Sequence, residues 1–132
     1  MGYYTKYTLY VYEDAEETKQ VSAQTNAEIG NILVKEYDAG WYTDESTHFD
    51  TYDFINDFVL SDTMKWYDAE DDMKELSKRY PEYWFLLYGE GEDRDDVWKA
   101  MFHNGVMQKV YAEIYFPDID TYAMIEEANH VG

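Results

Sequence analysis

The sequence predicts an α+β fold. The expected architecture is a largely antiparallel sheet with helices on one face, in a ferredoxin-like or related split arrangement, within one domain spanning 1–132. Three observations predict it. Strand-like and helix-like apolar patterns alternate through the first two thirds of the chain. A run of three strand-like segments follows, joined by an acidic loop and by Asn104-Gly105, a strong two-residue hairpin signal. A chain of 132 residues with 45% apolar and 19% aromatic content is long enough and apolar enough to bury a core.

The elements follow in order. Tyr3 to Tyr12 is rich in Tyr, Thr, Leu and Val and reads as a strand, with Tyr7, Leu9 and Val11 on its core face and Lys6 and Thr8 opposite. The charge run Glu13-Asp14-Ala15-Glu16-Glu17 ends it. Thr25 and Glu28 have the spacing of a capping box. Ile29, Ile32, Leu33 and Tyr37 then recur at helical spacing, and Gly40 is the expected stop. Within 41–63, Phe49, Tyr52, Ile55, Phe58 and Val59 trace a short helix. Its opposite face would carry Asp50, Asp53 and Asp57, whose like charges repel along the helix.

Met64 to Tyr67 reads as a short strand. Asp68 is the expected cap of a helix with Asp71 and Asp72 in its first turn, Met73, Leu76 and Tyr80 along its buried stripe, and Lys74, Lys78 and Arg79 toward its end. Pro81 closes that helix. Tyr83 to Tyr88, Val97 to His103 and Val106 to Phe116 are the strands of the meander, the last with Val106, Val110, Ala112, Ile114 and Phe116 on one face. Pro117-Asp118 breaks it, and a terminal helix is expected over Thr121 to Ala128.

Charge narrows the function. The chain holds 29 Asp and Glu against 10 Lys and Arg, a net charge of -19, which disfavours direct binding of DNA or RNA through phosphate neutralisation. With no Cys, a disulfide scaffold, a Cys nucleophile, a thiolate zinc site and an iron–sulfur cluster are excluded. The opening Met1-Gly2-Tyr3-Tyr4-Thr5-Lys6 lacks the apolar core of a signal peptide, and Lys6 stands where a myristoylation site wants Ser or Thr. No apolar run reaches membrane-spanning length. The expected location is the cytoplasm, with no membrane contact.

Catalytic patterns are not found, and an enzyme is not expected. His48, His103 and His130 make no HxxxH or HExxH pattern. Asp44, Glu45 and Asp50 lie near His48, but such neighbours arise by chance in so acidic a chain, and no metal site is assigned. Asp93-Arg94-Asp95-Asp96 departs from the EF-hand pattern, and Gly89-Glu90-Gly91 lacks the third Gly and the Lys of a phosphate loop. The serines have no Gly-x-Ser-x-Gly elbow. No catalytic residue and no cofactor are assigned.

Two features point to a binding surface. Residues 36 to 64 carry no Lys or Arg, a single-sign field that costs self-repulsion and would steer the chain toward a basic partner. Asp44, Glu45, Asp50, Asp53 and Asp57 form the first candidate patch, and Glu90, Glu92, Asp93, Asp95 and Asp96 the second. Tyr4, Tyr10 and Tyr12 share the strand face opposite the core, where Tyr supplies contact area at low entropy cost.

One stretch carries a resemblance. Lys65-Trp66-Tyr67-Asp68 leads through Asp72-Met73 to Ser77, Tyr80-Pro81, Gly89-Glu90-Gly91-Glu92, Asp96-Val97-Trp98, Phe102 and Asn104-Gly105. This pattern, over residues 64 to 108, resembles a family of small acidic bacteriophage-encoded proteins. The resemblance implies a phage origin, and small acidic phage proteins often inhibit host defence, as anti-CRISPR and anti-restriction proteins do. The expected function is therefore an inhibitor, acting in the cytoplasm of an infected bacterium. It would occupy the basic nucleic-acid groove of a CRISPR effector or restriction enzyme through an acidic, DNA-mimicking surface, as a monomer or homodimer. The rival expectations are a protein that sequesters a nucleotide signal, using Lys6, Lys65 and Lys99, and a phage structural or housekeeping protein.

Overall fold

The computed structural model describes residues 3–37 and 60–131. The strands are β1 (Thr5–Tyr12), β2 (Leu60–Met64), β3 (Trp84–Glu90), β4 (Val97–His103) and β5 (Val106–Tyr111); the helices are α1 (Ala23–Glu36), α2 (Ala69–Arg79) and α3 (Thr121–Val131). The strands form one sheet in the order β2-β1-β3-β4-β5, antiparallel at every neighbouring pair. The fold is α+β, as expected.

The split is of a particular kind. Because β2 and β3 both run antiparallel to β1, they are parallel to each other, with β1 between them and α2 joining them. That is a split β–α–β unit. The described strands before and after α1, β1 and β2, are adjacent and antiparallel.

Alternation sets the two faces of the sheet. Across the ladders, Val11 pairs with Phe85 and Phe85 with Phe102; Leu9 pairs with Leu87 and Leu87 with Ala100. These inward side chains are fully buried. Ile29 and Leu33 of α1 and Met73 and Leu76 of α2 join the same core, which places both helices on that face. The α3 helix is different: Tyr111 to His130 are all exposed, so α3 covers no face of the sheet. Among the described helices, the expectation of helices on one face holds for α1 and α2 and not for α3.

Several boundaries differ from the sequence reading, each for a local reason. The cap of α1 is Ser22, whose Oγ accepts the Thr25 amide at 3.1 Å, so Thr25 lies inside the first turn and is not the cap. At the second helix Asp68 does occupy the cap position, but its side chain makes no capping bond. Strand β2 is Leu60–Met64 and not Met64 to Tyr67, because its partner β1 begins at Thr5, opposite Met64. Past Met64 the chain turns, and the Trp66 carbonyl accepts the Ala69 amide at 3.3 Å. Likewise β5 ends at Tyr111 and does not reach Phe116: β4 starts at Val97, whose carbonyl accepts the Ala112 amide at 2.8 Å, and no described strand lies beyond it. The terminal helix reaches Val131, three residues past the expected end, and Asp120 accepts the Ala123 amide at its start.

The hairpin signal is met. Asn104 and Gly105 both take positive φ, 46° and 83°, the pairing a two-residue turn of the right twist requires. The Gly105 amide also donates to Ser77 Oγ at 2.8 Å, pinning the turn to α2. His103, beside the turn, is half-buried: its ring stacks on Trp84 at 3.7 Å and its Nδ1 lies 2.9 Å from the Tyr83 carbonyl oxygen. The expected stop at Gly40 and the helix over Phe49 to Val59 fall outside the described residues.

Candidate functional site

The described helices cover only part of the inner face. Toward the end of the sheet where β3 turns into β4, the inward row is Tyr7, Gly89, Trp98 and Tyr111. The start of α2 overhangs this row and leaves an open cleft of about 400 Å³. Trp66, Trp98 and Tyr7 form its apolar wall, and Asp68, Glu70, Asp71 and Asp96 its acidic rim. The wall is held together by packing and a hydrogen bond. Tyr7 packs edge-on against both indoles, with ring centres 5.4 Å from Trp66 and 6.2 Å from Trp98. Its hydroxyl donates to the Trp66 carbonyl at 3.2 Å, and burial pushes its phenol pKa above the ordinary value.

Lys109 enters this cleft from β5. Its ammonium stands 4.5 Å from the Trp98 ring centre and 5.1 Å from that of Tyr111, and 2.8 Å from Glu70 Oε2. Desolvation pulls its pKa down, but the Glu70 and Tyr111 contacts win and raise it above the ordinary lysine value. The site therefore already holds a cation between an indole face and a carboxylate, an arrangement that combines cation–π attraction with charge pairing. Asp72, next in the helix, is withdrawn from the rim. It accepts Trp66 Nε1–H at 2.8 Å, and burial raises its carboxyl pKa against the effect of that bond.

The β3–β4 loop is folded by its own backbone. The Gly91 amide donates to the Asp96 carbonyl at 2.8 Å, and the Asp96 amide to the Asp93 carbonyl at 3.0 Å. Tyr3 ties it down, its hydroxyl accepting the Asp93 amide at 2.9 Å, and the Tyr4 amide reaches Glu92 at 3.4 Å. Backbone bonds and Tyr3 thus hold the loop, with the Glu92 carboxylate taking the Tyr4 amide. Glu90, Glu92, Asp93 and Asp95 are exposed and Asp96 is half-buried, with Arg94 the loop's one cation.

The structure places the candidate residues unequally. The second acidic patch, Glu90 to Asp96, is described, and Asp96 brings it to the edge of the cleft. Asp44, Glu45, Asp50, Asp53 and Asp57 lie outside the described residues. Tyr4, Tyr10 and Tyr12 do share the face opposite the core, half-buried, with Tyr10 and Tyr12 stacked at 6.3 Å and Lys65 above Tyr4 at 4.7 Å. The sheet lies between that face and the cleft, so the tyrosines and the acidic rim form two surfaces and not one. The sequence reading missed Asp68, Glu70 and Asp71 as rim residues, because acids in a first helical turn are already accounted for by the helix dipole. Their signal was adjacency to Trp66 and Tyr67, two aromatics directly before the cap.

Among the described residues, no group of three or more His, Asp or Glu is placed to hold a metal ion, and no helix is long and apolar enough to cross a membrane. In comparison with known proteins, no family model, curated protein or solved structure matches the chain.

Proposed function

We propose that the protein is a phage-encoded inhibitor of a host defence protein, of CRISPR-effector or restriction type. It binds the target's basic nucleic-acid groove and excludes the nucleic acid by occupancy. The observation that carries this reading is Lys109. In this cleft a cation sits over Trp98 with Glu70 behind it, so the site has the chemistry to receive the Lys and Arg side chains that line a phosphate-binding groove. Asp68, Asp71 and Asp96, with the loop carboxylates beside them, take the place of phosphates. The reading needs no cofactor and no catalytic group. Negative rims also disfavour a phosphate-bearing ligand in this cleft, since like charges repel.

Such a partner is steered by long-range charge, so the complex forms fastest at low ionic strength. The test is recovery of partners from a bacterial host lysate at low salt, followed by competition with duplex DNA. A basic nuclease that is recovered, and released by the DNA, supports the reading. Recovery of phage virion proteins alone supports a structural role instead.

A further inference from the structure

Two surfaces of this chain lack a partner among its described residues, and they match. The first is the C-terminal arm, residues 113–131. After the Ala112 amide, residues 113–119 make no hydrogen bond back to the body, and Pro117 disfavours helical backbone at the residue before it. The arm nevertheless carries Ile114, Tyr115, Phe116, Ile119, Tyr122, Met124 and Ile125, each between 57% and 81% exposed. Within α3, Met124, Ile125 and Ala128 share one stripe, and Glu126, Glu127 and His130 take the other side. Soluble chains rarely leave so much contiguous apolar surface in water.

The second surface is the outer face of the sheet, which no described helix covers. Tyr10, Tyr88 and Trp84 lie on it, with Val106 and Val110 67% and 55% exposed toward its β5 edge. Between Trp84, Met101, His103 and Val106 is an open cavity of about 410 Å³, wide enough for an aromatic ring. The charges are complementary. The arm has Glu113, Asp118, Asp120, Glu126 and Glu127 and no Lys or Arg, while the outer strand face has Lys6 and Lys99 against Glu90. In a chain of net charge -19, this is a place where an acidic helix meets lysines.

We propose that two copies of the chain associate by exchanging these arms, each seated on the other's outer sheet face. The cavity lies at the turn end of the β4–β5 hairpin, whereas the arm leaves from the opposite end, at Ala112. Reaching its own cavity would require the arm to reverse and run back along the whole of β5. In a twofold pair the extended linker runs straight onto the partner, which is the geometry of an exchanged arm. The area suffices. The aromatic side chains of two arms alone bury on the order of 1,000 Å². The aliphatic side chains and the sheet itself bring the total to the roughly 1,600 Å² of a standard interface.

The test is light scattering on the full chain at micromolar concentration, with a variant on each surface. The expected mass is twice the 15.8 kDa of one chain. A Met124→Ser/Ile125→Ser double variant of the arm and a Val110→Asp variant of the face should each raise the dimer dissociation constant about tenfold or more. Neither should change the urea midpoint of the separated chain, because the substituted side chains are exposed. A monomeric wild type, whether its arm is free or docked on its own sheet, overturns the proposal. So does a dimer that both variants leave intact.

Discussion

The indole of Trp98 lies against Gly89, its partner across the β3–β4 ladder, so closely that a Cβ on Gly89 would fall 2.2 Å from Trp98 Cε2 and 2.3 Å from Cζ2. Glycine in a strand ordinarily costs about 0.5–1 kcal/mol relative to alanine. Here the absent side chain makes room for the ring that floors the cleft and supports Lys109. Gly89→Ala should therefore destabilise, because overpacking a buried ring costs about 1–3 kcal/mol and exceeds the backbone gain. Urea unfolding and near-ultraviolet circular dichroism measure it. A stabilised variant with unchanged aromatic dichroism would show that the ring has room to move.

Asp72 carries a pH dependence of definite sign. Burial raises its folded-state pKa above the unfolded value, with the Trp66 bond acting in the opposite direction. The folded chain thus holds that proton more tightly than the unfolded chain does. The resulting penalty is fully present above the folded pKa and vanishes below the unfolded value of about 4. Asp72→Asn removes the charge and keeps an oxygen for Trp66 Nε1–H. It should raise stability at neutral pH, with the advantage shrinking as pH falls. Urea midpoints of both proteins across the acid range check this. A variant less stable at neutral pH would mean that the ionic character of the bond to Trp66 outweighs the desolvation.

The start of α1 separates two capping assignments. Ser22→Ala removes the oxygen that accepts the Thr25 amide and should cost about 1 kcal/mol. Thr25→Ala loses only the contact with Ser22 Oγ and gains helix propensity, so it should stay within about 0.5 kcal/mol of the parent. Equal losses in the two variants would restore Thr25 as the cap.

The sequence was legible where one local pattern decided the outcome. Alternation in β1 put Tyr7, Leu9 and Val11 inside, and Asn104-Gly105 specified its turn. It was less legible where strand ends depend on a partner. Nothing between Tyr111 and Phe116 announces that β4 has run out, and the same β-prone residues continue as an exposed arm. The cap of α1 was misplaced because Ser22 and Thr25 are both good caps and only the backbone distinguishes them. The cleft was the least legible feature. It joins Trp66 and the first turn of α2 to Asp96, Trp98 and Lys109, and register alone brings these together. The loop half of the acidic surface was nameable from its charge run, but the helix half was hidden by the ordinary preference of acids for helix starts.

The most direct measurement is the affinity for the recovered nuclease, as a function of salt, of the wild type and of a variant combining Asp68→Asn, Asp71→Asn, Glu92→Gln and Asp95→Asn. All four side chains are exposed, and the repulsion relieved is offset by the favourable charge lost at the start of α2, so the variant should fold with stability within about 1 kcal/mol of the parent's. Its affinity at low salt should fall by about tenfold or more, and its binding should depend less steeply on salt than the wild type's. Slower association would identify steering as the main contribution, and faster dissociation would identify docked pairs. A folded variant that binds as tightly as the wild type, with the same salt dependence, would contradict the assignment of the acidic cleft and loop as the binding surface.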